Sequence, residues 1–460
     1  MSKTYRPWNP DQDWLLPPSP REWLPEGDLV YFMLDVVKTL DLSEITRRYE
    51  QEDRGFPPFH PRMMVTLLLY AYCMGVYSSR RIQKLCERDA AYRVIVGEDV
   101  PNFRTISDFR KDHLPALEGL FVQVLRLCAE AGLVKVGLVS LDGTKVKANA
   151  SRHKAMSYEY LQKEEQRLQE EIAGLLAQAE STDAAEDDLH GRELRGDELP
   201  AELARRESRL AKIQEAKKAL EKQALEAAQA EEGRRQAEDD ARRAAGETPR
   251  ARQAVDPTPE PKAQRNFTDP ESKIMKVSNK GFDQCGNAQA VCNEEQIIVA
   301  ADVTDQANDK RQVQPMVSQA QENLAAAGVE EKIEALAADS GYYSEENVSH
   351  LEGEKMDPYI ATERLKHHEK ASCASDPDSP AAENLTPKER MARKLRSKHG
   401  RETYAQRKGM VEPIFGQIKQ VRGFRQFLMR GLAKMRGEWR LICLTHNLLK
   451  LFGAQIRAAA

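Results

Sequence analysis

The sequence lacks three features that would each assign it to a broad class of proteins. Its seven cysteines include no CxxC pair, and Cys285 and Cys292 are the closest two, so we expect reduced thiols and no structural zinc site. No apolar run reaches membrane-spanning length, and the best candidate, residues 63–74, predicts a buried helix. The N-terminal residues lack the apolar core of a secretory signal. We therefore expect a cytoplasmic protein with no membrane partner, and 460 residues predict two or three domains.

The chain also lacks a net positive charge, but its charges are unevenly distributed. The formal net charge is -4, and residues 155–250 hold 24 acidic and 16 basic residues. Residues 388–440, in contrast, hold 16 basic and 4 acidic residues. A basic segment of this strength can supply the phosphate contacts and counterion release that drive DNA binding. A solvated amphipathic helix surface would carry the same charge, so the pattern alone leaves both interpretations open.

The first part of the chain is predicted to be helical. Between residues 29 and 133, a buried helix ends at Gly75, and Ser78 and Ser79 are candidate N-caps for the next helix. A short turn between two such helices is compatible with a helix-turn-helix unit, in which three basic residues of the second helix would approach DNA: Arg80, Arg81 and Lys84. Short helices joined by a glycine turn also occur in helical bundles of every kind.

Beyond Val134 the sequence alternates between strand and helix patterns. We predict a strand over VKVGLVSLDGTKVKANA, a pair of strands at residues 287–292 and 297–303, a strand ending at Asp339 and a short strand at residues 357–363. The charged stretch at residues 155–261 carries two leucine seams, which favour an antiparallel helical hairpin over a disordered linker. The expected fold class is a mixed α/β sheet with an all-α N-terminal region and an inserted helical hairpin.

Three separated acidic residues stand in distinctive local sequences. They are Asp142 in SLDGTKVKANAS, Asp339 in AADSGYYSEEN and Glu412 in RKGMVEPIFGQIK. Carboxylates can hold two Mg²⁺ or Mn²⁺ ions about 3.5–4 Å apart, one activating the attacking oxygen of a phosphodiester reaction and one stabilising the leaving oxygen. Asp142 and Asp339 each end an apolar β-run, which predicts neighbouring strand ends. Pro413 suits a first helical position, so Glu412 is predicted near the start of a helix.

Each of these acids also has an ordinary structural interpretation. Asp142-Gly143 fits a two-residue hairpin turn, and Asp339 before Ser-Gly suits the start of a turn. Glu412 could equally be a capping carboxylate, while Lys419, two turns further along the same helix face, is placed to reach a phosphate. From the residues alone, none of the three acids is assigned to catalysis.

At these segments the sequence resembles the DDE transposases of bacterial insertion sequences, from about His60 to Phe452. LDGTKVKANAS, GNAQAV, ADSGYYSEEN and YAQRKGMVEPIFGQIK carry the resemblance. It implies a ribonuclease-H-like catalytic core in which three acids bind two Mg²⁺ or Mn²⁺ ions: Asp142, Asp339 and Glu412. It also implies that Tyr404, Arg407 and Lys419 belong to the Tyr, Arg, Glu, Lys signature that contacts DNA near the cleavage site.

The spacing within that signature departs from the family pattern. Four residues separate Arg407 from Glu412, where the broader superfamily usually has three. Lys408 stands at the shorter spacing, so either Arg407 or Lys408 is a candidate for the arginine's role. In the N-terminal region, Asn102 stands where the resemblance leads us to expect Asp.

The resemblance implies a domain organisation and a function. We predict an extended N-terminal arm at residues 1–27 and a helical DNA-binding domain at residues 28–133. The catalytic core is split into residues 134–154 and 262–452 by the hairpin insertion with its linker at residues 155–261. A tail follows at residues 453–460. The expected function is binding of the terminal inverted repeats, followed by metal-dependent cleavage and strand transfer. The expected partners are double-stranded DNA at the element ends and at the target, and at least one further copy of this chain. The alternative is a catalytically silent, transposase-derived DNA-binding protein, and a scaffold centred on the hairpin would explain residues 155–250 alone.

Overall fold

The structure is a computed structural model that describes residues 22–50, 57–190, 201–244, 252–277, 281–363 and 385–459, together with residues 19, 246 and 248. Most of the predicted N-terminal arm, and the connector at residues 191–200 between the two hairpin arms, lie outside the described residues. The predicted division into five segments stays a prediction.

Seven helices lead from the N-terminal end of the described chain to the first strand: α1 (Leu29–Thr39), α2 (Ser43–Glu50), α3 (Pro61–Cys73), α4 (Ser79–Arg88), α5 (Ala90–Val96), α6 (Phe103–Asp112) and α7 (Leu114–Glu130). Helix α3 lies at their centre, since every residue from Met64 to Cys73 is buried. Asn102 caps α6, because its side-chain oxygen accepts from the backbone N–H groups of Arg104 and Thr105 at 2.9 and 3.0 Å. Asparagine therefore supplies the same cap that an aspartate would supply at this position.

A six-stranded sheet lies at the centre of the rest of the chain, and a two-stranded sheet lies at the base of the insertion. The strands are β1 (Leu138–Lys147), β2 (Ala155–Ser157), β3 (Gln264–Asn266), β4 (Lys273–Lys276), β5 (Phe282–Asn293), β6 (Ile298–Thr304), β7 (Ala335–Ala338) and β8 (Asp357–Ile360). The large sheet has the order β4-β5-β1-β7-β8, and β6 also pairs with β5. Strands β1, β7 and β8 run parallel to one another, while β5 runs antiparallel to β1, β4 and β6.

The remaining helices form the insertion and cover the sheet: α8 (Tyr158–His190), α9 (Ala201–Ala244), α10 (Val313–Ala326), α11 (Glu345–Gly353), α12 (Pro387–Arg396), α13 (Lys398–Gly416) and α14 (Leu432–Ala459). Helices α8 and α9 lie antiparallel, since Glu165 pairs with Lys217 and Glu171, further along α8, pairs with Arg206, which lies earlier in α9. Their own small apolar cluster includes Leu168, which is 1% exposed. The insertion is therefore held together apart from the main core.

Helix α14 joins the N-terminal helices to the sheet. It packs against α3 and α7 on one side and against β6 on the other. Trp439 is fully buried in it and donates its indole N–H to the backbone oxygen of Gln289 at 2.9 Å. As a result, one continuous hydrophobic core runs from α1 to α14 through the sheet.

The described cysteines are structural. All six are free and buried. Burial raises the pKa of the Cys73 thiol to about 12, so that thiol stays protonated at neutral pH and is a poor metal ligand. Within the described ranges, no helix is both long and apolar enough to cross a membrane.

Candidate active site

Asp142 and Asp339 lie side by side on neighbouring parallel strands. Leu141 of β1 is in register with Ala338, the last residue of β7. Asp142 follows Leu141 within β1, and Asp339 directly follows the end of β7. Adjacent strands lie about 4.7–4.9 Å apart, so both carboxylates belong to one site. Asp339 also caps the 3-10 turn Ser340–Tyr342, its Oδ1 accepting from the Gly341 backbone N–H at 2.8 Å.

Asp142 lies within a strand, which corrects two expectations from the sequence. Strand β1 continues through Asp142 and Gly143, which pair with Ala290 and Gln289 of β5. The hairpin-turn interpretation of Asp142-Gly143 is therefore wrong, and Asp142 does not end its strand. Gly143 serves a different purpose, since a Cβ atom there would overlap the Gln289 Nε2 atom. Glycine at this position leaves room for the Gln289 side chain; it does not form a turn.

Arg407 of α13 makes an ion pair with Asp142. Its Nη1 atom lies 3.0 Å from the Asp142 Oδ2 atom, and both side chains are largely buried. Burial raises the pKa of Asp142 to about 6; Arg407 opposes that rise and neighbouring Asp339 adds to it. The guanidinium also lies 5.8 Å from the centre of the Tyr404 ring. Two adjacent carboxylates repel each other, so this site requires positive charge.

Glu412 does not lie at the start of its helix, as the sequence had led us to expect. Helix α13 begins at Lys398, where the Ser397 hydroxyl accepts from the Gly400 N–H at 3.0 Å, and Pro413 lies inside the helix. Proline removes the N–H that would bond the carbonyl of Gly409, four residues earlier. The Gln296 side chain donates to that carbonyl instead, at 2.8 Å. The helix therefore continues through Pro413, and Glu412 lies near its end.

Glu412 is not brought together with the two aspartates. Glu412 follows Arg407 by five positions, so the two side chains point about 140° apart around the axis of α13, and the Glu412 side chain is exposed. In the described part of the chain, no group of three or more His, Cys, Asp or Glu side chains is arranged to hold a metal ion. The residues fit a divalent cation in part, because Asp142 and Asp339 offer adjacent hard oxygen ligands while Glu412 lies on another face.

Two basic residues of the family signature, Arg407 and Lys419, lie close to β1. The Lys419 Nζ atom donates to the Thr144 hydroxyl and to the Lys145 backbone oxygen, at 2.5 and 2.7 Å. Burial lowers the pKa of Lys419 to about 8. Lys408 is exposed, whereas Arg407 reaches Asp142. The contact with the first aspartate therefore belongs to Arg407.

The three basic residues predicted on the second helix of the N-terminal pair lie exposed on α4: Arg80, Arg81 and Lys84. On the opposite face of α4, the side chains of Ile82 and Cys86 are buried. The turn before it contacts the C-terminal half of the chain, since a Cβ atom at Gly75 would meet the Arg422 backbone oxygen at 2.5 Å. These basic side chains are not part of the aspartate site.

Sequence reasoning missed four residues around the aspartates: Asn287, Gln289, Asp309 and Tyr342. The amide side chains of Asn287 and Gln289 are fully buried, and both donate to Asp309. The segment GNAQAV contains both amides, and two buried polar residues in a strand of otherwise small apolar residues were the available signal. Asp309 stands in a loop and carried no such signal.

Two family models match the chain and together cover more than half of it. A transposase domain (DUF772) matches residues 18–112, and a transposase DDE domain matches residues 249–448. The chain belongs to the DDE transposases of insertion sequences. The DDE match includes Asp339 and Glu412 but begins after Asp142, since the helical insertion of this transposase separates β1 from the matched segment. Comparisons with curated proteins and with solved structures gave no match.

Proposed function

We propose that this protein binds the terminal inverted repeats of its own insertion sequence and carries out metal-dependent strand cleavage and strand transfer. The observation that carries the proposal is the adjacent position of Asp142 and Asp339 on parallel strands, in a chain of the DDE transposase family. The order of the strands around β1, with an antiparallel neighbour on one side and two parallel strands on the other, supports a ribonuclease-H-like core.

The proposed chemistry rests on the charges of the site. Asp142, Asp339 and Glu412 are the candidate ligands of two Mg²⁺ or Mn²⁺ ions, which when bound would activate the attacking oxygen and stabilise the leaving oxygen. Arg407 holds the Asp142 carboxylate and keeps it ionised against the effect of burial. Lys419, fixed beside Thr144, supplies positive charge two residues along β1 from the aspartate. The phosphodiester anion is accommodated by these two cationic side chains.

The proposed DNA contacts extend over two regions. Tyr404, Arg407, Lys408 and Lys419 lie in the basic segment 388–440, whose charge favours phosphate binding whatever the base sequence. The exposed basic face of α4 is the candidate for contacts with the inverted repeat: Arg80, Arg81 and Lys84. Pairing two element ends would require at least two copies of the chain.

The test is Asp142→Asn, measured on labelled DNA that carries the sequences flanking the reading frame. We expect the variant to shift this DNA in a gel and to lose Mg²⁺- or Mn²⁺-dependent cleavage. Asp305→Asn, which removes a carboxylate outside the site, is the matched control and should cleave normally. An Asp142→Asn variant with full cleavage activity would overturn the catalytic assignment.

The separation of Glu412 from the aspartates favours one alternative, a catalytically silent DNA-binding protein derived from a transposase. The same assay distinguishes the two functions. A wild-type chain that shifts the flanking DNA but never cleaves it, with either metal, would support the silent protein.

A further inference from the structure

We propose that Asp309, Gln289 and Tyr342 form a directional chain of hydrogen bonds that positions the Asp339 carboxylate for catalysis. This inference rests on the proposed function, because it assigns positioning residues to that same site. It also gives a role to GNAQAV, which the family resemblance marks without assigning it any chemistry.

The chain of hydrogen bonds begins at Asp309, in the loop after β6. Its Oδ1 atom accepts from the Asn287 Nδ2 atom at 2.6 Å, from the Gln289 Nε2 atom at 2.9 Å and from the Lys145 Nζ atom at 3.4 Å. Both amides are fully buried in β5. Hydrogen bonds to an ionised acceptor are stronger than neutral ones, so Asp309 fixes the two amides firmly.

The carboxylate of Asp309 also decides which way the Gln289 amide points. An ionised carboxylate only accepts hydrogen bonds, so the amide NH₂ group must face Asp309. The amide oxygen, Oε1, then faces away and accepts from the hydroxyl of Tyr342. Tyr342 is fully buried, and burial together with Asp309, Asp142 and Asp339 holds its pKa well above the usual value. Its hydroxyl is therefore a neutral donor at physiological pH.

Tyr342 in turn fixes the segment that carries Asp339. It ends the 3-10 turn Ser340–Tyr342, and its backbone oxygen accepts from the Asn347 side chain at 2.8 Å. Asp339 caps the same turn through the Gly341 N–H. A Cβ atom at Gly341 would lie 2.9 Å from the Asp339 Oδ1 atom and 3.5 Å from the Asp309 Oδ2 atom, so this glycine lies between the two carboxylates.

Gly143 leaves room for the Gln289 and Tyr342 side chains close to Asp142. A Cβ atom there would overlap the Gln289 Nε2 atom and lie 3.1 Å from the Tyr342 hydroxyl oxygen. The Gln289–Tyr342 pair therefore lies directly against β1, next to the first aspartate. A shift of Tyr342 would move the turn and change the direction of the Asp339 carboxylate, which matters because catalytic groups tolerate little displacement.

The directionality of the chain gives a specific test. In Gln289→Glu, a carboxylate replaces the NH₂ group that faces Asp309, so two acceptors oppose each other. Adding Asp309→Asn restores a donor, since the new amide at position 309 can donate to the new carboxylate at position 289, while Tyr342 still donates to the other oxygen of that carboxylate. Asn287 donates to Asp309 and accepts from Gln289 in the wild type; with its amide rotated by about 180°, it donates to position 289 and accepts from position 309 in the double variant. Asp309→Ala removes the acceptor altogether. The matched controls are Gln306→Glu and Asp305→Ala, which make the same kinds of substitution in the loop that carries Asp309. Gln306 is exposed and Asp305 is half-buried.

We expect Gln289→Glu and Asp309→Ala each to lower kcat for cleavage of the flanking DNA by about 100-fold, with KM for DNA unchanged. The double variant Gln289→Glu/Asp309→Asn should recover most of the lost kcat, and both controls should cleave like wild type. Because the double variant carries more substitutions than the damaged single one, its recovery would exclude misfolding as the cause of the loss. Single variants as active as their controls, a change confined to KM, or a double variant no better than Gln289→Glu would each overturn the proposal.

Amide hydrogen exchange of residues 339–343 is the second readout and does not require cleavage. Exchange at the Gly341 N–H should accelerate in Gln289→Glu and return toward the wild-type rate in the double variant. If the wild-type chain fails to cleave DNA but exchange follows this pattern, the positioning chain stands and the proposed function fails. If cleavage is normal and neither exchange nor kcat responds to Gln289→Glu, the positioning chain fails and the proposed function stands.

Discussion

The guanidinium of Arg407 donates to the carboxylate of Asp142 at 3.0 Å, although 265 positions of the chain separate the two residues. This contact ties α13 to β1 across the whole helical insertion. It also offsets the effect of burial and of Asp339, which together raise the pKa of Asp142. The ion pair therefore links α13 directly to the first aspartate, beside the Lys419 contacts with Thr144 and Lys145 of the same strand.

Arg407→Ala should abolish most DNA cleavage, with a loss of about 100-fold or more, because Asp142 loses both its charge partner and its orientation. The pKa of Asp142 should rise further, since the group that opposes burial is gone. Cleavage at pH 7 and the Asp142 titration by NMR are the two measurements. Lys408→Ala, at the neighbouring exposed position, should lose far less cleavage activity, because it removes one of several proposed phosphate contacts and leaves the Asp142 ion pair intact. The reverse order of effects would assign the arginine's role to Lys408.

Glu412→Gln should abolish metal-dependent cleavage without altering stability. The Glu412 side chain is exposed, and surface substitutions usually change the free energy of unfolding by less than about 0.5 kcal/mol. Cleavage assays and thermal denaturation would be compared with Glu402→Gln, an exposed glutamate on the same helix. Normal cleavage by Glu412→Gln would show that Glu412 is not the third catalytic acid.

DNA affinity should fall as the pH rises through about 8. Burial lowers the pKa of Lys419 to about 8, so the cation that favours phosphate binding is present below that pH and disappears above it. In Lys419→Arg the charge persists, because an arginine side chain stays protonated throughout the range. Fluorescence anisotropy with DNA between about pH 6.5 and 9.5 would show a decline for wild type and a flatter curve for the variant. Identical curves would contradict a phosphate-binding role for Lys419.

Gly143→Ala should destabilise the fold by about 1–3 kcal/mol, since the added methyl group would overlap the Gln289 amide and approach the Tyr342 hydroxyl. Gly409→Ala is the contrasting control, because a Cβ atom there has no neighbour within 4 Å and the position is inside a helix. It should stabilise the protein by about 0.5–1 kcal/mol. Chemical denaturation of both variants measures the difference. Equal stabilities would mean that the close approach at Gly143 is absorbed by local rearrangement.

Much of the architecture followed from local patterns in the sequence. Alternating β-branched residues predicted β1, and strand character on both sides of the polar turn NEEQ predicted the β5–β6 pair. The leucine seams predicted that α8 and α9 would pack together. Asp339 was correctly placed at the end of a strand, where Ser340 and Gly341 begin a turn. These predictions succeed because strand and helix periods depend on residues only a few positions apart.

Other predictions failed where a distant residue decides the outcome. Pro413 normally marks the first turn of a helix, but α13 continues through it because Gln296, from the β5–β6 turn, satisfies the freed carbonyl of Gly409. Asp142-Gly143 has the composition of a hairpin turn, but pairing with β5 keeps it extended. In both cases a contact with a segment far along the chain overrides the local preference.

The sequence by itself determined the family resemblance, the residue types at the site and most helices and strands, because these depend on composition and short-range spacing. Only the tertiary structure decided that Arg407 rather than Lys408 reaches Asp142, that Glu412 lies apart from the two aspartates, and that Asp309 lies beside them. The rotation of α13 and the register of β1 against its neighbours set these relationships. Both depend on how the sheet and its helices pack, and no short stretch of sequence contains that information.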